Sequence, residues 1–346
     1  MSAGKFIVAL TADFYDSARM LKYRDIGLSV LTENPRIEQH VFREHRKEIG
    51  ADQIGEAQGV IVLTPSVTAG SVSNAGNLLV MARFGVGYDS VDVKSCTEAD
   101  VLVTTTPGAV DRPVAEATIG WMIALGHNLR IKDRLVRTGQ WDERAKFMGR
   151  ELRDCTLGVI GLGGIARKTI ELLRGFGMQP PLAFDPFATQ EAASKAGARL
   201  VSLDELLRQA DFVSIHCPLT DKTRGLIGPR ELALMKPDAY LLNTARGGIV
   251  DEDALYNALK NHRIAGAALD CFAEEPVTAP SRFADLDNVL LAPHSIAWTH
   301  ELFRDIGRAA CQVMLDLSLK RRPGGVVNPE VFERPGFQKK WERLCG

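Results

Sequence analysis

Four polar residues lie at or just beyond the ends of runs that are typical of buried strands. They are Arg246 after YLLNTA, Asp270 at the end of GAALD, Glu275 five residues later, and His294 after VLLAP. In an open parallel sheet, ligands bind in the crevice outside the carboxyl ends of the strands. We therefore expect these four side chains to gather at one edge of a sheet and to act on a bound molecule.

Their types suit the movement of a hydride to or from a carbon that bears a hydroxyl group. His294 can give or take the hydroxyl proton, because imidazole titrates near neutrality. Glu275 would stabilise the imidazolium, and Arg246 could hold a carboxylate and polarise the carbonyl beside it. Plainer roles stay open: Arg246 pairing on the surface with Asp251 or Glu252, Glu275 in a solvated turn, and His294 as a satisfied histidine at a strand end.

Two other segments could contribute polar groups. His216 also ends a predicted strand, but no acid follows that could pair with it, so a catalytic role for it is less favoured. Nearer the amino terminus, the loop Phe84-Gly85-Val86-Gly87 could cradle a carboxylate with its backbone N–H groups.

A glycine pattern typical of dinucleotide-binding proteins begins at Gly161. The segment GVIGLGGIA places Gly161, Gly163 and Ala166 in the G-x-G-x-x-G/A spacing, between a predicted strand and a predicted helix capped by Gly177. Gly161 allows the tight turn, Gly163 lets the backbone approach a pyrophosphate, and Ala166 is small enough for helix–strand packing. The helix N-terminus then offers N–H groups to phosphates. A tight turn that binds nothing is the alternative.

An acid ends the strand that follows the glycine pattern. Asp185 stands at the end of PLAFD, at about the distance where a carboxylate contacts the ribose hydroxyls of NAD. The same carboxylate would repel the additional phosphate of NADP. The sequence therefore favours NAD, although an Asp before Pro186 could also simply start a turn.

Short β-like runs alternate with helix-length segments, which indicates βαβ units and parallel sheets. The predicted strands are residues 5–10, 28–32, 59–63, 78–84, 101–105, 156–161, 182–185, 199–201, 212–216, 240–243, 267–270 and 289–292. Long helices are predicted at 114–129 and 299–319, and the segment 106–113, TPGAVDRP, is a plausible hinge. Two βαβ-rich halves predict two domains with a cleft between them, and the last long helix is expected to pack on the first domain.

Composition excludes several classes of protein. A chain of 346 residues exceeds what one core usually spans, which also predicts two domains. A net charge of −1 argues against nucleic acid or an anionic membrane as the main partner. No apolar run reaches the length of a membrane span, and no signal peptide is expected. The six scattered cysteines and seven histidines show no metal-ligand spacing, so we expect no metal and a cytoplasmic, reducing location.

With these residues in place, the sequence resembles the D-isomer-specific 2-hydroxyacid dehydrogenases. The resemblance covers most of the chain and rests on ordered motifs: ARFGVGYDSVDV (82–93), VAEATIG (114–120), GVIGLGGIAR (158–167), FDPF (184–187), HCPLTDKTRGLI (216–227), NTARGGIVDEDAL (243–255), ALDCFAEEP (268–276), APH (292–294) and VVNPE (326–330).

The resemblance implies an NAD-dependent oxidoreductase that interconverts a small D-2-hydroxy acid and its 2-oxo acid. It implies Arg246, Glu275 and His294 as the catalytic residues, with the loop at Val86 and Gly87 binding the substrate carboxylate. The implied NAD contacts, with those of the glycine pattern, are Gly161, Gly163, Gly164, Ile165, Asp185, Cys217, Pro218, Thr244, Ala245, Arg246, Asp270 and His294.

The resemblance also implies the architecture. Two Rossmann-like or flavodoxin-like domains are expected: a discontinuous substrate-binding domain of residues 1–110 plus 298–346, and an NAD-binding domain of residues 111–297. Members of the family are commonly dimers built around the segment that here runs over residues 115–149. A homodimer is therefore expected.

Departures from the family bear on the substrate. Trp298 stands where many relatives have a small residue, and it would either narrow the substrate pocket or pack as a domain-interface aromatic. The chain resembles phosphoglycerate dehydrogenases at Arg83 but has Leu63 where they usually carry a second arginine. We expect no regulatory domain of the kind that many of them add. We expect a small unphosphorylated substrate such as glyoxylate or hydroxypyruvate. Phosphoglycerate dehydrogenase-like activity and a corepressor-like, NAD(H)-sensing role are the alternatives.

Overall fold

The computed structural model describes residues 5–345. The chain divides into two units, one formed by Met1–Val110 with Trp298–Gly346 and the other by Asp111–Ala297. Each unit contains its own parallel β-sheet. The prediction of an α/β protein with two parallel sheets is therefore confirmed.

The first unit contains a five-stranded sheet in the order β2-β1-β3-β4-β5, which is the flavodoxin-like order. Its strands are β1 (Phe6–Leu10), β2 (Ile37–Val41), β3 (Gly59–Val62), β4 (Val80–Arg83) and β5 (Leu102–Thr104). The helices within this part of the chain are short: a 3₁₀ turn at Ala12–Phe14, α1 (Ser29–Thr32), α2 (Ala51–Ile54) and α3 (Val93–Glu98). The central strand β3 is buried at every position, as a strand covered on both faces should be.

The second unit contains a seven-stranded parallel sheet in the order β12-β11-β10-β9-β6-β7-β8. Its strands are β6 (Leu157–Ile160), β7 (Leu182–Phe184), β8 (Arg199–Leu200), β9 (Phe212–Ile215), β10 (Tyr240–Asn243), β11 (Gly266–Leu269) and β12 (Val289–Leu291). The strand order reverses between β6 and β9, so the ligand crevice of this doubly wound sheet lies at their carboxyl ends.

Helices cover both faces of this second sheet. They are α4 (Asp111–Gly126), α5 (Leu129–Arg137), α6 (Gly164–Leu172), α7 (Gln190–Ala196), α8 (Leu203–Gln209), α9 (Pro229–Leu234) and α10 (Glu252–Lys260), with 3₁₀ segments at Trp141–Lys146 and Leu173–Phe176. The 16-residue helix α4 packs against α6, the helix that follows the glycine pattern.

The carboxyl-terminal segment returns to the first unit. It contains α11 (His300–Ser318), a 3₁₀ segment at Pro329–Glu333 and α12 (Pro335–Cys345). Met314 on α11 lies so close to Gly59 that a Cβ on that glycine would stand 2.3 Å from its Sδ. The prediction that the last long helix packs on the first domain is confirmed by this contact and by the contacts of α11 with β3 and β4.

A buried lysine attaches α12 to the first sheet. The Nζ of Lys340 shares its three N–H donors among four backbone carbonyls: Ala75 at 3.0 Å, Leu78 at 2.8 Å, Ala99 at 3.2 Å and Asp100 at 2.9 Å. These carbonyls precede β4 and β5. The hydrogen bonds satisfy a side chain that is only 9% exposed.

Two element predictions are wrong. Residues 28–32 were expected as a strand, but Ser29–Thr32 form a helical turn, and the edge strand is Ile37–Val41. That strand has only one buried residue, so it lacks the apolar run on which the prediction relied. The helix expected over 114–129 is two helices, because Asn128 has a left-handed φ of 54° that separates α4 from α5.

Among residues 5–345, the structure has no helix that is both long enough and apolar enough to span a bilayer.

Candidate active site

The glycine pattern forms the turn between β6 and α6. Gly161 has a φ of +93°, and a Cβ there would stand 2.9 Å from both the backbone nitrogen of Cys217 and the carbonyl carbon of His216. Only glycine fits this close approach of the loop after β9. Gly163 precedes α6, and the position of its absent Cβ is open space, so the backbone at this residue is accessible. This surface suits a pyrophosphate.

Asp185 lies just after β7 and is held against the same turn. One carboxylate oxygen accepts from the backbone N–H of Leu162 at 2.9 Å, and the other accepts from that of Phe187 at 2.8 Å. These bonds fix the carboxylate beside the glycine pattern. It is therefore placed where the ribose of a dinucleotide is expected.

The loop after β9 begins with a neutral histidine. The Nε2 of His216 lies 2.9 Å from the Ser214 hydroxyl, and burial lowers the pKa of His216 to about 4. An imidazole this reluctant to protonate is a poor proton donor near neutrality. Burial also raises the pKa of the Cys217 thiol to about 11, so it is a neutral thiol. Pro218 beside it is exposed.

The loop after β10 is held by Asn243. Its side-chain nitrogen donates to the carbonyl of Arg246 at 2.8 Å, and its side-chain oxygen accepts from the backbone of Ala245 at 3.1 Å. The hydroxyl of Thr244 is buried and has no hydrogen-bonding partner among residues 5–345. Because a buried polar atom without a partner is costly, this hydroxyl fits a group supplied by a bound molecule.

This loop contacts the loop that follows β11. A Cβ on Gly247 would stand 1.8 Å from the carbonyl oxygen of Phe272, so only glycine is possible there. The guanidinium of Arg246 donates to the Ala245 carbonyl at 2.7 Å. The neighbouring acids have their own bonds: Asp251 caps α10, and Glu252 accepts from the backbone of Ala273 at 2.6 Å.

Glu275 and His294 form a hydrogen-bonded pair. Nδ1 of His294 lies 2.8 Å from one carboxylate oxygen of Glu275, and the other oxygen accepts from the backbone of Phe272 at 2.9 Å. Burial acts to raise the pKa of Glu275. The hydrogen bonds from His294 and Phe272 and the charges of His294 and Arg246 outweigh it, so the pKa of Glu275 is lowered. The carboxylate is therefore ionised beside the imidazole.

The histidine is held in an uncommon backbone conformation. His294 has a φ of 53°, which non-glycine residues rarely adopt. Asp270 fixes the residues that follow, because its carboxylate accepts from the backbone of Ser295 at 2.8 Å and of Ile296 at 3.0 Å. Burial is the largest cause that raises the pKa of Asp270, and these hydrogen bonds oppose it.

The structure thus brings together one group of the predicted site residues. Arg246, Asp270, Glu275 and His294 lie at the carboxyl ends of β10, β11 and β12, on the same sheet as the glycine pattern. Sequence analysis assigns no role to Asn243, which holds the loop that carries Arg246. An amide at the end of a buried apolar strand was the available signal.

Three predicted substrate-binding residues belong to the first unit. Val86 and Gly87 follow β4, in a loop where the Gly85 carbonyl accepts from the backbone of Thr106 at 3.0 Å. Trp298 is 55% exposed, and its ring lies 5.1 Å from that of Phe303, edge to face. Tyr23, which stacks on Phe303, is its other ring neighbour.

Arg83, at which the chain resembles phosphoglycerate dehydrogenases, is also in this unit. Arg83 Nη1 donates to the backbone carbonyls of Phe84 at 2.5 Å and Val62 at 3.4 Å, and Leu63 beside them is buried. No group of three or more His, Cys, Asp or Glu side chains within 5–345 could hold a metal ion.

Residues 119–295 match the family model described as "D-isomer specific 2-hydroxyacid dehydrogenase, NAD binding domain". The chain is 41% identical to a D-3-phosphoglycerate dehydrogenase of Methanocaldococcus jannaschii over 82% of its own length, but the match spans only 54% of that protein. It is 34% identical to a glyoxylate reductase of Korarchaeum cryptofilum, over 84% of this chain and 90% of that protein.

Solved structures show the same fold. A D-lactate dehydrogenase from Aquifex aeolicus, crystallised with NAD and lactic acid, superposes with a TM-score of 0.79 at 26% identity, covering 92% of this chain and 98% of that one. A protein from Thermus thermophilus superposes with a TM-score of 0.80 at 28% identity, covering 93% and 99%.

Proposed function

We propose that this chain, which belongs to the D-isomer-specific 2-hydroxyacid dehydrogenase family, is an NAD-dependent reductase of a small, unphosphorylated 2-oxo acid such as glyoxylate or hydroxypyruvate. The observation that carries the proposal is the Glu275–His294 pair, with its Nδ1–Oε2 distance of 2.8 Å, within reach of the charge of Arg246. An ionised carboxylate beside an imidazole is suited to deliver and recover one proton.

Each residue of this group has a separate task. When bound, NADH supplies a hydride to the carbonyl carbon of the 2-oxo acid. Because Nδ1 of His294 is held by Glu275, its Nε2 is the atom that gives a proton to the carbonyl oxygen, which becomes the hydroxyl. Glu275 stabilises the imidazolium before transfer. Arg246 binds the substrate carboxylate and polarises the carbonyl.

The coenzyme would be held by the edge of the second sheet. Gly161, Gly163, Gly164 and Ile165 would present backbone to the pyrophosphate, and Asp185 would accept from the ribose hydroxyls and disfavour NADP. The unpartnered hydroxyl of Thr244 supports this proposal. The further contacts we propose are Cys217, Pro218, Ala245, Arg246, Asp270 and His294.

A small substrate is favoured by the residues of the first unit. Leu63 is buried and uncharged where a second cation would serve a phosphate, and Arg83 already donates to backbone carbonyls. We assign carboxylate binding to the backbone of Val86 and Gly87, and a substrate-facing role to Trp298. A phosphorylated substrate is the alternative, because one relative of this chain is named a D-3-phosphoglycerate dehydrogenase.

We also propose a homodimer and a cytoplasmic location. Large apolar side chains within or near residues 115–149 are exposed, namely Leu129, Val136, Trp141 and Met148. We assign these side chains to the surface that a second copy would cover. All six cysteines are free thiols, as is usual in a reducing compartment. Sedimentation of the purified chain tests the dimer directly.

The activity is tested by NADH oxidation, followed by absorbance, with glyoxylate, hydroxypyruvate, pyruvate, a branched 2-oxo acid and phosphohydroxypyruvate, and with NADPH in parallel. We expect NADH-dependent turnover of an unphosphorylated acid that is lost in His294→Ala. His300→Ala is the control, because that histidine starts α11 and does not belong to the loop after β12 that carries His294. Preference for phosphohydroxypyruvate would overturn the substrate assignment. Tight NADH binding without turnover of any acid would favour the sensing role.

A further inference from the structure

The carboxylate of Asp111 lies directly over Gly164. Asp111 is the first residue of α4, and Gly164 is the first residue of α6. A Cβ on Gly164 would stand 2.1 Å from one carboxylate oxygen of Asp111, 2.6 Å from its Cγ and 2.7 Å from the other oxygen. Gly164 is helical and needs no left-handed φ, so the Asp111 carboxylate is what a Cβ at this position would meet.

This carboxylate stands at the amino-terminal ends of two helices. The helix α4 has 16 residues and α6 has nine, and they pack against one another, so their positive ends both act on Asp111. Among residues 5–345 the Asp111 carboxylate accepts no hydrogen bond. Burial raises its pKa, and the charge of Lys168 on α6 opposes that rise. Lys168 is itself paired with Glu171 at 2.7 Å.

The amino-terminal end of α6 is also where the pyrophosphate of NAD is expected, over the open position of Gly163. A fixed negative charge beside that position is unfavourable for a second anion. The carboxylate also partly neutralises the positive ends of the two helix dipoles before any coenzyme binds. Both effects weaken binding of the pyrophosphate relative to a chain with a neutral residue at position 111.

We propose that Asp111 is a built-in anion that lowers the affinity for NAD(H) through its pyrophosphate and so promotes release of the coenzyme. It acts on the coenzyme only through charge and takes no part in hydride or proton transfer. The inference goes beyond the proposed reaction, because it concerns binding that is measured without any substrate.

The test is the dissociation constant of NADH, measured from its fluorescence, for the full chain and for Asp111→Asn. We expect NADH to bind about tenfold more tightly to the variant, since one decade of affinity is of the order of the repulsion between like charges in a half-exposed site. ADP-ribose, which keeps the pyrophosphate, should gain similarly in competition, whereas adenosine, which has none, should not. Asp111→Ser removes the same charge with a smaller side chain and should shift NADH binding in the same direction.

Glu116→Gln is the matched control. Glu116 lies on the same helix and pairs with Arg112 at 2.7 Å on an exposed surface, so its loss changes the net charge equally, away from Gly164. We expect its NADH affinity to stay within about twofold of the wild type. Unchanged or weaker NADH binding in both Asp111 variants would overturn the inference while leaving the proposed reaction intact. A gain of affinity for adenosine equal to that for NADH would also overturn it, and failure of every protein to bind NADH would overturn both proposals.

Discussion

Replacing Glu275 with glutamine isolates the role of its charge. Oε1 of the glutamine can still accept from the backbone of Phe272, so the loop after β11 keeps its hydrogen bond. The amide nitrogen would then face Nδ1 of His294, where it donates a hydrogen bond. That arrangement favours the neutral imidazole and removes the negative charge that supports the imidazolium.

The magnitude follows from the distance and the exposure of the pair. The side chain of Glu275 is 34% exposed and that of His294 is 45% exposed, and their atoms are 2.8 Å apart. Unit charges at about 4 Å attract by roughly 1 kcal/mol in water and by roughly 4 kcal/mol at an effective dielectric constant of about 20. An intermediate value of about 2 kcal/mol corresponds to a loss of roughly 30-fold in kcat/KM for reduction.

The assay is NADH-dependent reduction of the best 2-oxo acid over a range of pH. We expect kcat/KM of Glu275→Gln to fall roughly 30-fold and its alkaline limb to move to lower pH, with NADH affinity unchanged. Glu274→Gln is the control, because that exposed neighbour carries the same charge without the bond to His294. Equal losses in the two variants, or a loss in Glu275→Gln below about threefold, would refute the assignment of Glu275 as the counter-charge.

Three further predictions concern binding and stability. Gly161→Ala should abolish NADH binding and lower the free energy of unfolding by about 1–2 kcal/mol or more, since its φ is +93° and the loop after β9 leaves no room for a Cβ; calorimetry measures both. With a pKa of about 4 in the folded state against 6.5 unfolded, His216 should destabilise the fold as pH falls from about 6.5 to about 4, because only the unfolded chain binds the proton there. That slope in the free energy of unfolding should be smaller in His216→Gln. Lys340→Met should leave the backbone carbonyls of Leu78, Ala99 and Asp100 without the ammonium donor and cost about 3 kcal/mol or more, seen as faster hydrogen exchange in α12, whereas Lys339→Met on the exposed face should cost little.

The parts of the site that follow strands were predictable from the sequence. A buried apolar run that ends in a polar residue predicts a polar side chain at the carboxyl edge of a parallel sheet. This pattern predicts the positions of Arg246, Asp270 and His294. Glu275 is predicted to lie beside them because it follows Asp270 by only five residues. The glycine pattern was equally predictable from the sequence, because the tight turn that requires Gly161 is formed within a single βα unit.

Contacts between segments distant in the chain were not predictable in this way. Asp111 contacts Gly164 because α4 packs on α6, and the sequence of neither segment alone predicts that packing. Lys340 appears in the sequence as one of two adjacent lysines, and only the structure shows which of them is buried. The edge strand Ile37–Val41 was missed because its solvent-facing residues are polar. The break at Asn128 was missed although Gly126 and Asn128 are residue types typical of helix ends, because the apolar spacing continues past them.

The four carbonyls around the Lys340 ammonium amount to a small coordination sphere occupied by a tethered cation. A site of the same oxygen donors filled by a free monovalent ion would empty on dilution or in low salt, because its occupancy follows the ion concentration. Here the cation is part of the chain, so its effective concentration at the site is set by α12 and not by the medium. The attachment of the carboxyl-terminal helix to the starts of β4 and β5 should therefore be insensitive to the identity and amount of salt present. It should weaken only as the ammonium loses its proton, because burial lowers the pKa of Lys340 to about 8, or as the helix unfolds.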